Sequence, residues 1–175
     1  MPSMRALQSV LLFAAAVAAL FLSGCGGRPP ARPYAMGEKV LIGHLNYTVF
    51  ETQWLPQLGD QSAPRVPQNR FFLVRTSIVN SGAADVVAPN LSIEDDSGHV
   101  YQELSNGDGV PQWIGYLRQI KPADSAQGNL VFDAPPAHYK LRVLDEEGEH
   151  SAVIDIPLTF NAETPGLPTP GEIKK

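Results

Sequence analysis

The chain has a single cysteine, Cys25, among its 175 residues. With no second thiol, no intramolecular disulfide can staple the fold. Basic residues are also scarce: 13 Lys and Arg stand against 18 Asp and Glu, with no basic cluster. That balance excludes the electrostatic footprint of a nucleic-acid binder, whose phosphate contacts need Lys and Arg. It equally excludes electrostatic docking on anionic lipid head groups. The apolar run from Val10 to Leu22 has 13 residues, well short of the roughly 20 that cross a bilayer as a helix. No Gly-x-Ser-x-Gly elbow is present, and Asn106-Gly107-Asp108-Gly109 lacks the lysine and following helix of a phosphate loop. These absences leave no catalytic constellation, so the chain is not expected to be an enzyme.

The first 25 residues carry the strongest positive signal. Arg5 and the free amine precede the apolar run, and small residues close it before the cysteine. A charged start, a short apolar middle and a small-residue cleavage site make a secretory signal. The closing Leu22-Ser23-Gly24-Cys25 resembles the lipobox of bacterial lipoproteins. The resemblance implies that residues 1–24 are removed and that Cys25 becomes the lipidated first residue. A lone thiol in an oxidising compartment is a liability, and lipidation removes it. One acyl chain anchors weakly and two or more anchor stably; the lipoprotein modification supplies three. Gly26, rather than Asp, follows the cysteine. In a cell with two membranes the family sorting rule then favours the outer membrane, with the protein facing the periplasm. The remaining 151 residues carry a net charge of −6 and suffice for one domain with its own core.

Within the mature chain, residues 25–35 read as a lipidated cysteine and a Pro/Gly-rich tether, and 161–175 as a disordered Pro/Gly-rich tail. The folded part is expected over 36–160. Its hydrophobic period is two. Phe72, Val74, Thr76 and Ile78 fall on one face of the segment 71–80, with Arg75 and Ser77 on the other, as in a strand with one wet face. Tyr139, Leu141 and Val143 alternate with Lys140 and Arg142. Ile154, Ile156 and Leu158 point inward from the last strand, and Leu130 and Phe132 from 128–133. Val40 and Ile42, then Leu45, Tyr47 and Val49, give two early strands. The turns Asp95-Asp96-Ser97-Gly98 and Asp145-Glu146-Glu147-Gly148 place acids before a glycine free to take positive φ, as hairpins require. The pattern predicts an all-β, immunoglobulin-like antiparallel β-sandwich of seven or eight strands, without the Cys…Trp…Cys signature of antibody domains.

Gly37-Glu38-Lys39-Val40, Asn46-Tyr47-Thr48-Val49, the segment Phe72 to Asn80 and Gly128-Asn129-Leu130-Val131-Phe132-Asp133 together resemble one family. It comprises telokin-like, immunoglobulin-like domains of bacterial secreted proteins and lipoproteins. The group carries a domain-of-unknown-function label and includes an immunoprotective extracellular antigen. The resemblance runs from about Met36 to Leu158 and implies an immunoglobulin-like sandwich in the cell envelope. It implies no catalytic residues. The loop from Ser105 to Pro122 departs from the family pattern.

The chemistry-bearing residues are few. His44, His99, His138 and His150 lack the i, i+2 spacing of a metal pair on a strand. His99 and His150 each follow an acidic turn, and two such turns could converge at one end of a sandwich to bind a metal. Glu94, Asp95 and Asp96 lack the ligand spacing of a calcium loop. No metal or cofactor is therefore expected. Trp113 and Tyr116 put two large aromatics where turn residues belong. They read either as partner-binding anchors, or, for Trp113, as a lid folded onto the open end of the sandwich. The expected role is a membrane-anchored, non-catalytic interaction module whose partners are the membrane, through Cys25, and another envelope protein. The alternative is a small-ligand or metal carrier with a site at a loop end.

Overall fold

The computed structural model describes residues 32–159. Cys25, most of the tether and the tail 161–175 lie outside the described residues. Eleven strands follow in order: β1 (Tyr34–Ala35), β2 (Val40–Ile42), β3 (Leu45–Leu55), β4 (Arg70–Asn80), β5 (Val86–Ala88), β6 (Ser92–Asp95), β7 (Val100–Gln102), β8 (Arg118–Ile120), β9 (Ser125–Ala134), β10 (Tyr139–Leu144) and β11 (Ser151–Ile156). They form a five-stranded sheet in the order β1-β11-β10-β6-β7, a four-stranded sheet β2-β3-β4-β9 and a two-stranded ribbon β5-β8. The fold is an all-β sandwich. The strand number exceeds the expected seven or eight because β1, β2, β5, β7 and β8 are two or three residues long. Segments that short carry no readable alternation. One pairing is not antiparallel: β1 runs parallel to β11, with Tyr34 beside Ile154. Tyr34 and Ala35 thus belong to the sandwich, although composition assigns them to the tether.

Alternation does set the inter-sheet core. Val40, Leu45, Tyr47, Val49, Phe72, Val74, Ile78, Leu91, Ile93, Leu130, Phe132, Tyr139, Leu141, Val143, Ile154 and Ile156 are all buried in one cluster. In β3 the phase flips. The pairing with β4 shifts between Val49 and Glu51, so Phe50 is the extra residue of a β-bulge and is exposed. The bulge turns Trp54 inward, where its ring stacks on Phe72 with centroids 4.2 Å apart. Leu158 is a correction. It is 43% exposed, because β11 ends at Ile156 and Pro157, lacking a donor, cannot extend the ladder.

The second correction concerns β4. Its outer face is not wholly wet. Phe71 and Leu73, with Val131 of β9, are buried in a separate cluster with Leu58 and Val110. The four consecutive apolar residues Phe71 to Val74 therefore serve two cores on opposite faces of one sheet.

Asn80 ends β4 fully buried. Its Nδ2 donates to the carbonyls of Ala84 (2.7 Å) and Ile120 (3.0 Å), and its Oδ1 accepts from the Gly82 amide at 2.8 Å. Its amide donates to the Asp124 carbonyl, and its own carbonyl accepts from the Ala123 amide. A buried amide with its groups satisfied fixes the β4–β5 and β8–β9 connections at once.

Candidate interaction surface

The segment from Glu103 to Ile120 forms a strap across the outer face and edge of the four-stranded sheet. Backbone bonds stitch it down: the Leu104 amide donates to the Val131 carbonyl (2.8 Å), the Asn129 amide to the Gln112 carbonyl (2.8 Å) and the Ile114 amide to the Asn129 carbonyl (3.2 Å). Asn129 adds a side-chain bond to the Pro111 carbonyl at 2.7 Å. Gly128 makes this approach possible. A Cβ there would sit 2.2 Å from the Gln112 carbonyl oxygen. The glycine of the strand Gly128–Asp133 is thus required by the strap above it.

Trp113 lies within this strap, half-buried against the Leu58, Phe71, Leu73, Val110 and Val131 cluster. It does not lid the open end of the sandwich; it covers the outer face of the sheet. Its ring rests on Gly107, where a Cβ would lie 1.9 Å from the ring. Its indole nitrogen is buried without a hydrogen-bond partner. The neighbouring 56–69 segment closes the cluster from the other side. Arg65 donates to the Asn106 carbonyl at 2.8 Å and sits over the Phe71 ring, 4.9 Å from its centroid.

Arg118 and Glu103 close the strap at its base, a role that no motif announces. The two side chains form an ion pair with no exposed surface. Arg118 also donates from Nε to the Gly115 carbonyl (2.6 Å) and from one terminal nitrogen to the Pro89 carbonyl (3.1 Å). Glu103 accepts from the Leu91 amide at 3.2 Å. Burial pushes the Glu103 carboxyl above its ordinary value, and the guanidinium opposes that rise. Such a pair contributes little net stability over apolar residues, but removing one partner leaves a costly buried charge. The one available signal was phase. Arg118 and Ile120 share the inward face of a three-residue strand.

The residues that the strap exposes are mostly polar, and one large apolar side chain stands out among them. Leu117, next to the buried Arg118, is 85% exposed, and Val87 on the paired strand β5 is also exposed. Tyr116 is half-buried beside them.

The histidines take a different course. The turn after β6 lies at the start of β10, where Asp95 pairs with Tyr139, and the turn before β11 lies at its end, where Ser151 pairs with Leu144. His99 and His150 therefore sit at opposite ends of the sheet and cannot share a metal. Each histidine has a carboxylate partner instead: His44 with Glu146, His99 with Asp95 at 3.1 Å, and His150 with Asp145 at 2.7 Å. His138 bridges Asp96 and Asp155 at 2.9 Å each. Burial pulls the His138 imidazole down, but the two carboxylates outweigh it and raise its pKa. Asp95 and Asp145 are tied into their turns as well, accepting from the His99 and His150 amides. Among the described residues no group of three or more His, Cys, Asp or Glu could hold a metal ion. An open groove of about 400 Å³ is lined by Pro56, Asn69, Arg70, Pro135 and Pro136, a set that includes none of Trp113, His99 and His150.

Solved structures share this architecture. The yjhA protein of Bacillus subtilis is 13% identical, with 70% of this chain and 98% of that one covered at a TM-score of 0.54. MPT63, a secreted protein of Mycobacterium tuberculosis, is 13% identical, with 73% and 98% covered at 0.53. A candidate lipoprotein of Bacillus subtilis, ycdA, is 15% identical, with 69% of this chain but 38% of that one covered at 0.50. At these identities the likeness is one of fold. Among curated proteins none matches the chain. Residues 34–149 match the model described as Domain of unknown function (DUF4352), and the chain belongs to that family.

Proposed function

We propose that the protein is a bacterial envelope lipoprotein, anchored by lipid at Cys25, whose sandwich is a non-catalytic protein-interaction module. The observation that carries this reading is Leu117, 85% exposed on a strap whose base is locked by the buried Arg118–Glu103 pair. Rigid presentation lowers the ordering cost of binding, and loops positioned by a rigid scaffold are where binding residues concentrate. The lipobox-like Leu22-Ser23-Gly24-Cys25 supports the envelope location, as do fold relatives that include a secreted protein and a candidate lipoprotein. In a two-membrane cell Gly26 favours the outer membrane.

Two measurements test the proposal. Mass spectrometry of the mature protein should find a lipidated Cys25 as its first residue, and Cys25→Ser should release the protein or leave it uncut. A photo-crosslinker placed at Leu117 in cells should trap one discrete protein, and one placed at Lys140, on the far sheet, should not. Equal trapping from both positions, or none from Leu117, sinks the interaction surface. An unmodified Cys25 sinks the anchor.

A further inference from the structure

One end of the sandwich is joined across its sheets by a contact of acid–base character. The turn between β2 and β3 contains Gly43 and His44, and the turn between β10 and β11 contains Asp145 to His150. The first belongs to the four-stranded sheet and the second to the five-stranded sheet. Glu146 reaches across and grips His44 twice, accepting from its backbone amide at 3.0 Å and pairing with its Nδ1. Gly43, at φ +56°, permits this contact; a Cβ there would lie 2.3 Å from the Glu146 carboxylate. We propose that this contact is a pH-set latch. Protonated His44 ties the two turns together, and loss of its proton frees the β2–β3 turn from the β10–β11 turn.

The groups around His44 give the latch its sign. From the β10–β11 turn come Asp145, Glu146, Glu147, Glu149 and His150, with His150 engaged by Asp145. The connection after β4 contributes Ser81, which donates to the His44 carbonyl at 2.8 Å, and Gly82, neither of them charged. The loop 121–124, bonded to Asn80, brings Lys121 and Asp124 to the same end. The hydrogen bond and charge of Glu146 hold the His44 imidazole above its ordinary value of 6.5. Burial would raise Glu146 above 4.5, but the His44 amide and ring bring it below. A raised histidine adds stability that is complete below 6.5 and is lost as pH rises through the folded-state value. A lowered glutamate adds stability that is complete above 4.5 and is lost as pH falls through its folded-state value. The latch is therefore closed in mildly acidic solution and opens on the alkaline side.

Hydrogen–deuterium exchange of the full chain, corrected for intrinsic rates, at about pH 5.5 and pH 8.5 decides the matter. Exchange in residues 42–47 should rise roughly three-fold or more at the higher pH, with residues 70–79 unchanged. In Glu146→Gln the pH dependence of 42–47 should vanish and its exchange stay high throughout. His44→Gln, which keeps the backbone contact, should also abolish the dependence and serves if Glu146→Gln does not fold. No rise in the parent chain, a rise that survives both substitutions, or a parallel rise in 70–79 would overturn the latch.

Discussion

The two hydrophobic clusters differ in how they are closed. Between the sheets, strands face strands, and every apolar position answers another across a regular ladder. Beneath the strap, the same strands β4 and β9 offer their opposite faces to loops. Phe71 and Phe72 are neighbours, equally buried at 1% exposure, yet Phe72 stacks on Trp54 in the inter-sheet core and Phe71 lies under Arg65 and the strap. A core walled by strands cannot collapse around a deletion, whereas one walled by loops can. The cost of losing a side chain depends on how well its site relaxes.

The sharpest way to break this comparison is to delete the two phenylalanines separately. Phe72→Ala should cost roughly 4 kcal/mol, within the range for a buried phenylalanine in a rigid site. Urea unfolding with an unchanged slope would report it. Arg118→Met should cost about 3 kcal/mol, because Glu103 is left buried and unpaired. The double change Arg118→Met with Glu103→Met should recover most of that loss; a double variant no better than the single one would mean the pair is not what locks the strap. Phe71→Ala should cost about 3 kcal/mol, the low end for a buried phenylalanine, with the strap settling into the gap. Its loss should appear as faster amide exchange over 104–114 before any change in 139–144. Equal costs for Phe71→Ala and Phe72→Ala would erase the distinction between the clusters. The smallest effect belongs to Leu117→Asp. An exposed position away from the core should move stability by less than about 0.5 kcal/mol, while trapping by a crosslinker at Tyr116 should fall.

The same contrast explains what could be read in advance. Alternation exposes a residue's partners when they lie one strand away, which is why Phe72, Val74, Leu130, Phe132, Leu141 and Ile154 were all legible. Phe71 and Leu73 were not, because period two forces a choice of one buried face and the cover on the other comes from a loop with no period. The run Phe71-Phe72-Leu73-Val74 was itself the missed warning of two buried faces. Trp113 was visible as an aromatic out of place, but whether it faces a partner or its own sheet depends on Gly107 and Gly128, whose close contacts exist only in the fold. Glu103 and Arg118 look like ordinary surface charges, and only the meeting of three loops makes them interior. The histidines were visible singly, and their carboxylate partners emerged from register. For His44 the partner is 102 positions away.

The strap has one more effect, on the outer rim of β9. That strand ends the four-stranded sheet, so its unpaired amides and carbonyls would offer a template for any extended chain. The bonds from Leu104 to Val131 and between Gln112, Ile114 and Asn129 occupy the carbonyl of Val131 and both backbone groups of Asn129 in the middle of that rim. Exposed strand rims invite identical molecules to zip together, and natural sheets blunt or cover them. A glycine at 128, by letting a loop lie against the rim, leaves less of that edge open to an extended chain.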